Sequence, residues 1–289
     1  MKYLSIIALT VFAFSSSLFG EIKVLIIDGQ NNHNWRATTP FMVKAFASNL
    51  MFKVEVSTSP DKKNGTKEEW NKWRPEFSKY DVVLSNYNGI DWPQEVKKSF
   101  EEYVTGGGGF VCIHAANNAF TKWSAYNKLI GLGGWGGRNE KNGPYVYVKD
   151  GKVVSDTSKG RGGSHGPKHE FTVNTFDAEH PIMKGLPKKW MHTKDELYDS
   201  LRGPGKDMKI LAYSYSTKSK KNEPMVMALE HGKGKIFHTP MGHDTTSMNC
   251  VGFVNIMLRG TEWAATGKVT IPVAKSFPTA EKSVPFIKK

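Results

Sequence analysis

The chain is poor in the features that mark several large protein classes. Only two of its 289 residues are cysteine, which leaves no disulfide scaffold and no four-cysteine zinc site. Cys112 lies inside the apolar run Gly109-Phe110-Val111-Cys112-Ile113 and Cys250 opens an apolar helix, so both read as buried free thiols. Beyond the first twenty residues, no apolar stretch is long enough to span a bilayer. No Ser or Cys stands at a strand-to-helix turn, so acyl transfer by a Ser-His or Cys-His pair lacks its nucleophile. No Lys-Ser/Thr follows the Gly-rich stretch Gly133 to Gly137, and Gly106 to Gly109 precede a strand instead of following one. No nucleotide cofactor is expected on either ground.

Positive charge is plentiful. Forty Lys and Arg against 27 Asp and Glu give a formal net charge of +13. The lysines are scattered, with no basic helix and no basic-aromatic motif, so nucleic acid is not an expected partner. Such a surface suits anionic polymers of a cell envelope or acidic glycans instead. Lys2, the apolar run Leu4 to Phe14 and the small residues Ser15 to Ser17 and Gly20 form the layout of a secretory signal peptide over residues 1–20. The expectation is a secreted or periplasmic protein with no membrane span once that segment is cleaved. The run is also shorter than the roughly 20 residues that a spanning helix needs.

From residue 21 to about 270 the pattern predicts one α/β domain. Ile22 to Asp28 reads as a buried strand, followed by a polar loop to Thr39 and a helix opening at Pro40. Strands are predicted at Phe52 to Ser57, Asp81 to Ser85 and Phe110 to Ile113, with a helix starting at Pro93 between the last two. This alternation argues for a doubly wound, mostly parallel, flavodoxin-like sheet. Past Gly131 the chain becomes a loop-rich insertion with short β pieces, Tyr145 to Val148 and Phe171 to Asn174. Strands at Lys209 to Tyr215, Met225 to Glu230 and Lys235 to His238 follow, then a helix over Val251 to Ala264. Residues 271–289 read as an extended tail.

Open parallel sheets bind ligands at the carboxyl ends of their strands. Histidines collect there: His33 after the first strand, His114 directly after the fourth, His243 after the last. Asn117 and the indole of Trp35 share those loops, and the insertion adds Trp135 beside Arg138. A second group runs through His165, His169, His192, Asp195 and Glu196. Such a set can hold Zn, Mn or Ca, supply acid and base groups, or simply satisfy internal hydrogen bonds. Its spacings match no strict zinc signature.

Several short motifs, in order, resemble the trehalose-utilisation (ThuA-like) family. They are Gly107-Gly108-Gly109-Phe110-Val111-Cys112-Ile113-His114-Ala115-Ala116, then His180-Pro181-Ile182 with Gly185-Leu186-Pro187. Asp195-Glu196-Leu197-Tyr198, Glu223-Pro224 and Gly232-Lys233-Gly234-Lys235 through Gly242-His243 complete the series. The resemblance runs from Ile22 to Gly267 and implies a class I glutamine amidotransferase-like fold without the catalytic Cys. Where many members carry Gly-Gly-His, this chain has Gly136-Gly137-Arg138. The family name implies a small-molecule carbohydrate as partner, including disaccharides and their 3-keto derivatives. On that analogy, Glu196, His169 and His114 are expected to carry acid-base catalysis. His33, His114 and His243 are expected to contact one divalent metal. Trp35, Asn117, Trp135, Arg138, His165, His192 and Asp195 are expected to bind substrate. The alternative is a sugar- or glycan-binding module without catalysis.

Overall fold

The structure is a computed structural model that describes residues 20–288, so the predicted signal peptide lies almost wholly outside the described residues. The first half of the chain alternates strand and helix. In order come β1 (Ile22–Asp28), α1 (Trp35–Ala47), β2 (Phe52–Thr58), α2 (Lys67–Lys72), β3 (Val82–Ser85), α3 (Gln94–Gly106), β4 (Gly109–Ile113) and α4 (Ser124–Ile130). The second half is mainly strand: β5 (Tyr145–Lys149), β6 (Lys152–Asp156), β7 (Ser164–His165), β8 (His169–Thr175), β9 (Lys189–Asp195) and β10 (Tyr198–Asp199). Then follow β11 (Lys209–Ser216), β12 (Lys221–His231), β13 (Gly234–Thr239), α5 (Thr245–Met248) and α6 (Val251–Thr266).

The main sheet runs β2-β1-β3-β4-β13-β12-β11-β8-β9, with β5 and β6 attached beside β12. Its first five strands are mutually parallel, and their order is that of the flavodoxin-like doubly wound fold. Alternation along β1 explains why both faces are covered. Val24 and Ile26 enter one apolar cluster with Met42 and Phe46 of α1 and Val254 and Met257 of α6. Leu25 and Ile27 enter another, with Phe100 and Val104 of α3 and Leu129 of α4. In α3 the buried residues Val96, Phe100 and Val104 repeat every fourth position, and Gly107 at φ 122° ends the helix.

Three expectations need amendment. The polar loop after β1 closes five residues early, because α1 begins at Trp35 and carries Pro40 inside it. Pro40 is tolerated there because it and Arg36, whose carbonyl loses its usual donor, are exposed to water. The loop-rich insertion is more regular than expected. β12 and β11 carry the sheet onward past β13 in antiparallel order, and β8 and β9 of the insertion extend it to its edge, β9 being a strand not anticipated. The tail forms no helix or strand, yet it is tied down. The N–H groups of Met191 and Val251 donate to the carbonyls of Thr279 and Val284 at 2.7 and 2.8 Å, and Asn249 exchanges hydrogen bonds with Ile287. Both cysteines are free and buried.

Candidate functional site

Four side chains from four separate segments meet at the carboxyl end of the parallel strands. His33 follows β1, His114 follows β4, Glu196 follows β9 and His243 follows β13. The imidazole centroids of His33 lie 4.8 Å from His114 and 4.4 Å from His243. One ligand atom from each of the four residues fits within 4.8 Å of all the others. A tetrahedron with bonds of about 2.1 Å has edges of roughly 3.4 Å. Contraction by about 1 Å, within the reach of small side-chain rotations, would close the set around an ion.

His114 is the most constrained member of the cluster. Its Nδ1 lies 2.7 Å from the carbonyl oxygen of Pro240. A carbonyl only accepts, so Nδ1 carries the hydrogen and Nε2 carries a lone pair. That Nε2 is buried, has no hydrogen-bond partner, and stands 3.8 Å from Oε2 of Glu196. Backbone fixation of one ring nitrogen with the other bare is the usual state of a metal-binding imidazole. His114 holds this pose at φ 46°, a left-handed backbone uncommon outside glycine. Nδ1 of His243 approaches Oε2 of Glu196 at 3.0 Å, again without forming a hydrogen bond of proper shape. Nε2 of His33 lies 3.3 Å from the Tyr198 hydroxyl.

Electrostatics favour lone pairs over protons on His33 and His114, while contact with the Glu196 carboxylate raises His243. Burial, reinforced by the neighbouring imidazoles of His114 and His243, pushes His33 down to about 3. Burial also lowers His114. Glu196 feels burial in the opposite sense, yet His243, His165 and His114 outweigh it and hold the carboxyl below its ordinary value. Two imidazoles held neutral, a third whose proton a cation would displace, and one carboxylate form a donor set for a divalent cation.

Beneath the cluster, the fully buried Asp195 organises two of its members. One carboxylate oxygen accepts the N–H of Glu196 at 2.7 Å and of His243 at 3.2 Å. The other accepts from Gly242 at 2.7 Å and meets Nε2 of His192 at 2.9 Å.

A model of the trehalose-utilisation family matches residues 23–264. The chain belongs to that family. A ThuA-like protein of Parabacteroides merdae is 47% identical to it and superposes with a TM-score of 0.86, over 92% of this chain and 97% of that one. A ThuA-like protein of Bacteroides uniformis shares the fold at 19% identity and a TM-score of 0.58, over 94% of this chain and 100% of that one. No curated protein matches the chain. Trehalose utilisation is the family's description, which places the chain in carbohydrate metabolism.

The structure sorts the expected residues of this ThuA-family site into three groups. His33, His114, His243 and Glu196 come together as described. His165 and Trp135 form a rim beside them, since Nε2 of His165 lies 3.8 Å from Oε1 of Glu196. The Trp135 ring sits 4.5 Å from that of Tyr198, which in turn packs 4.2 Å from His114. The remaining expectations require correction. Arg138 is buried and donates to the carbonyls of Asn118, Gly134 and Ala119 and to Oδ1 of Asn127, so it is not free to grip a substrate. Asn117 is buried against Nε2 of His238 at 3.1 Å. His192 and Asp195 are sealed from solvent, and Asp195 touches the cluster residues through the backbone N–H groups of Glu196 and His243. His169 turns its Nδ1 to the carbonyl of Pro167 and packs on Phe171, so it joins none of the cluster contacts. Trp35, on the first turn of α1, lies under the guanidinium of Arg36 and lines a different hollow with Pro40, Val43 and Val56.

Tyr198 is the site residue to which sequence reasoning gave no role. Its ring is the wall between the cluster and the rim, placed there by a two-residue pairing with His165. A pairing so short leaves no periodic signal in the sequence.

Proposed function

We propose that this ThuA-family chain is an exported, carbohydrate-active enzyme. It holds one divalent cation on His33, His114, Glu196 and His243 and cleaves a glycoside or keto-sugar by acid-base chemistry. The bare, buried Nε2 of His114 facing three further donor groups supports this reading most directly. Three nitrogen donors and one carboxylate suit Zn or Mn and disfavour Ca, whose sites are built from oxygen. When bound, the ion would supply a Lewis acid for a sugar keto or hydroxyl oxygen. Export rests on the sequence of residues 1–20, and no helix among the described residues is long and apolar enough to cross a membrane.

Placing Glu196 in the coordinating set moves the base role to another group. His165 suits it. Its Nδ1 lies 2.7 Å from the carbonyl of Gly166, which leaves Nε2 as a partly exposed lone pair beside Glu196. On a 3-keto-glycoside, Nε2 would take the proton from the carbon between the ketone and the anomeric centre. The electron pair of that C–H bond forms the new C=C bond as the anomeric C–O bond breaks. The departing oxygen then receives the proton from the imidazolium, so the substrate divides into an unsaturated keto-sugar and an alcohol.

The test is elemental analysis of the purified full-length protein alongside turnover of a 3-keto-disaccharide. About one Zn or Mn per chain is expected in the wild type, with near-complete loss in His114→Ala. His165→Asn should keep the ion and lose turnover. A protein that retains no ion and gains none on dialysis against Zn or Mn would end the proposal.

A further inference from the structure

Next to the histidine cluster lies a cavity of ≈ 590 Å³ whose walls include Trp135, Tyr145, Arg161, Ser164, His165 and Lys218. That volume is in the range of sites for drug-sized ligands, large enough for a disaccharide. His165 belongs to both spaces, because its Nε2 faces Glu196 while the residue lines the cavity. A ligand in the cavity therefore has one end at the reactive cluster.

The wall chemistry is one-sided. Two cations line the cavity and no Asp or Glu does. Among the described residues, neither Arg161 nor Lys218 has a carboxylate within ion-pair distance. The Lys218 ammonium donates to the carbonyl of His165 at 2.8 Å, and the backbone of Arg161 is held by the Tyr145 hydroxyl, which donates to its carbonyl at 3.0 Å. The ammonium retains two further hydrogens to donate and the guanidinium its whole fork. The same cavity is lined by the indole of Trp135, a flat apolar face of the kind that sugar rings stack on. The wall depends on Gly163 at φ 87°, where a β-carbon would lie 2.5 Å from the Trp135 nitrogen and 2.7 Å from its ring.

We infer that this cavity binds a saccharide bearing an anionic substituent, the sugar on Trp135 and the anion between Arg161 and Lys218. The inference rests on the proposed carbohydrate chemistry of the adjoining cluster and narrows its substrate to an acidic sugar. Carboxylate, sulfate and phosphate esters share the required charge and acceptor oxygens.

Calorimetric titration of the full-length protein with four matched disaccharides tests this: a neutral glucose disaccharide and its glucuronate, 6-sulfate and 6-phosphate counterparts. At low ionic strength at least one anionic form should bind 10-fold or more tighter than the neutral one, and the form preferred identifies the substituent. Added salt should shrink the gap. Arg161→Gln combined with Lys218→Gln should bring the forms to within 3-fold of each other, leaving metal content unchanged. Equal binding of all four, a preference that survives the double substitution, or no binding of any would overturn the inference. Metal content separates the two proposals. Retained ion with no anionic preference removes only this one, and an anionic preference in a protein that never holds an ion removes only the former.

Discussion

Asp195 meets Nε2 of His192 at 2.9 Å, and neither side chain reaches solvent. Burial alone would raise the aspartate and lower the histidine. Their mutual attraction prevails, with Cys250 assisting on the histidine side, so the pair is held as an ion pair. The same carboxylate fixes the backbones of Glu196 and His243. Asp195→Asn should therefore cost about 3 kcal/mol of stability, since it strands a buried partner. It should also weaken metal binding about 10- to 100-fold, as loss of an orienting group around a metal site does. Urea denaturation and a chelator-competition titration measure the two effects. Wild-type metal affinity in the variant would show that the carboxylate does not align the ligands.

An ion that binds only the folded chain stabilises it by mass action. Free Zn or Mn at a hundred times its dissociation constant should add about 2.7 kcal/mol. For a domain of this size that is roughly 5–10 °C in Tm. Scanning calorimetry of wild type and His114→Ala, with metal and with chelator, reads it directly. The wild type should shift and the variant should not.

Glu223 offers a pH test remote from the cluster. Burial, with some help from Asp199, pushes its carboxyl from 4.5 up to about 7, although Ser219 donates to it at 2.7 Å. The folded chain thus holds a proton that the unfolded chain releases. Stability is intact below about pH 4.5 and falls as pH rises to about 7, by up to about 3 kcal/mol. Glu223→Gln should remove that part of the decline and be the more stable protein at pH 8. Parallel stability–pH curves for the two proteins would contradict this.

Arg138 separates structure from recognition. Burial lowers its guanidinium to about 10, and its bonds go to the carbonyls of Asn118, Ala119 and Gly134 and to Oδ1 of Asn127 in α4. Arg138→Ala should lower stability by about 3 kcal/mol or more, leaving several carbonyls unpaired. It should leave the KM of surviving folded protein within a factor of about two. A large rise in KM with unchanged Tm would return Arg138 to the binding site.

The parallel half of the fold was legible because most of its strands are largely apolar runs, β2 alternates Lys53 and Glu55 with Val54 and Val56, and its helices repeat every third or fourth residue. The three histidines were legible because they stand just beyond such strands, at the end where doubly wound sheets hold ligands. The antiparallel extension was only partly readable. β9, Lys-Trp-Met-His-Thr-Lys-Asp, mixes charge with bulk because only alternate residues are buried. Arg138 and His192 misled for one physical reason. Polar residues that look destined for a ligand can be consumed entirely by backbone oxygens or by one another, and only coordinates show where those partners lie. Glu196 was expected to work as a base, and nothing in its sequence neighbourhood shows that three imidazoles converge on it.

The clustered donors come from positions 33, 114, 196 and 243, so no partial chain emerging from a ribosome owns a complete socket. Small zinc modules gain their fold from the ion itself. Here the reverse order applies, because the Pro240 carbonyl and the Asp195 carboxylate pre-set the donors by protein contacts alone. On the proposed reading, cells starved of Zn or Mn should therefore accumulate a folded, unloaded protein, not a misfolded one that is cleared.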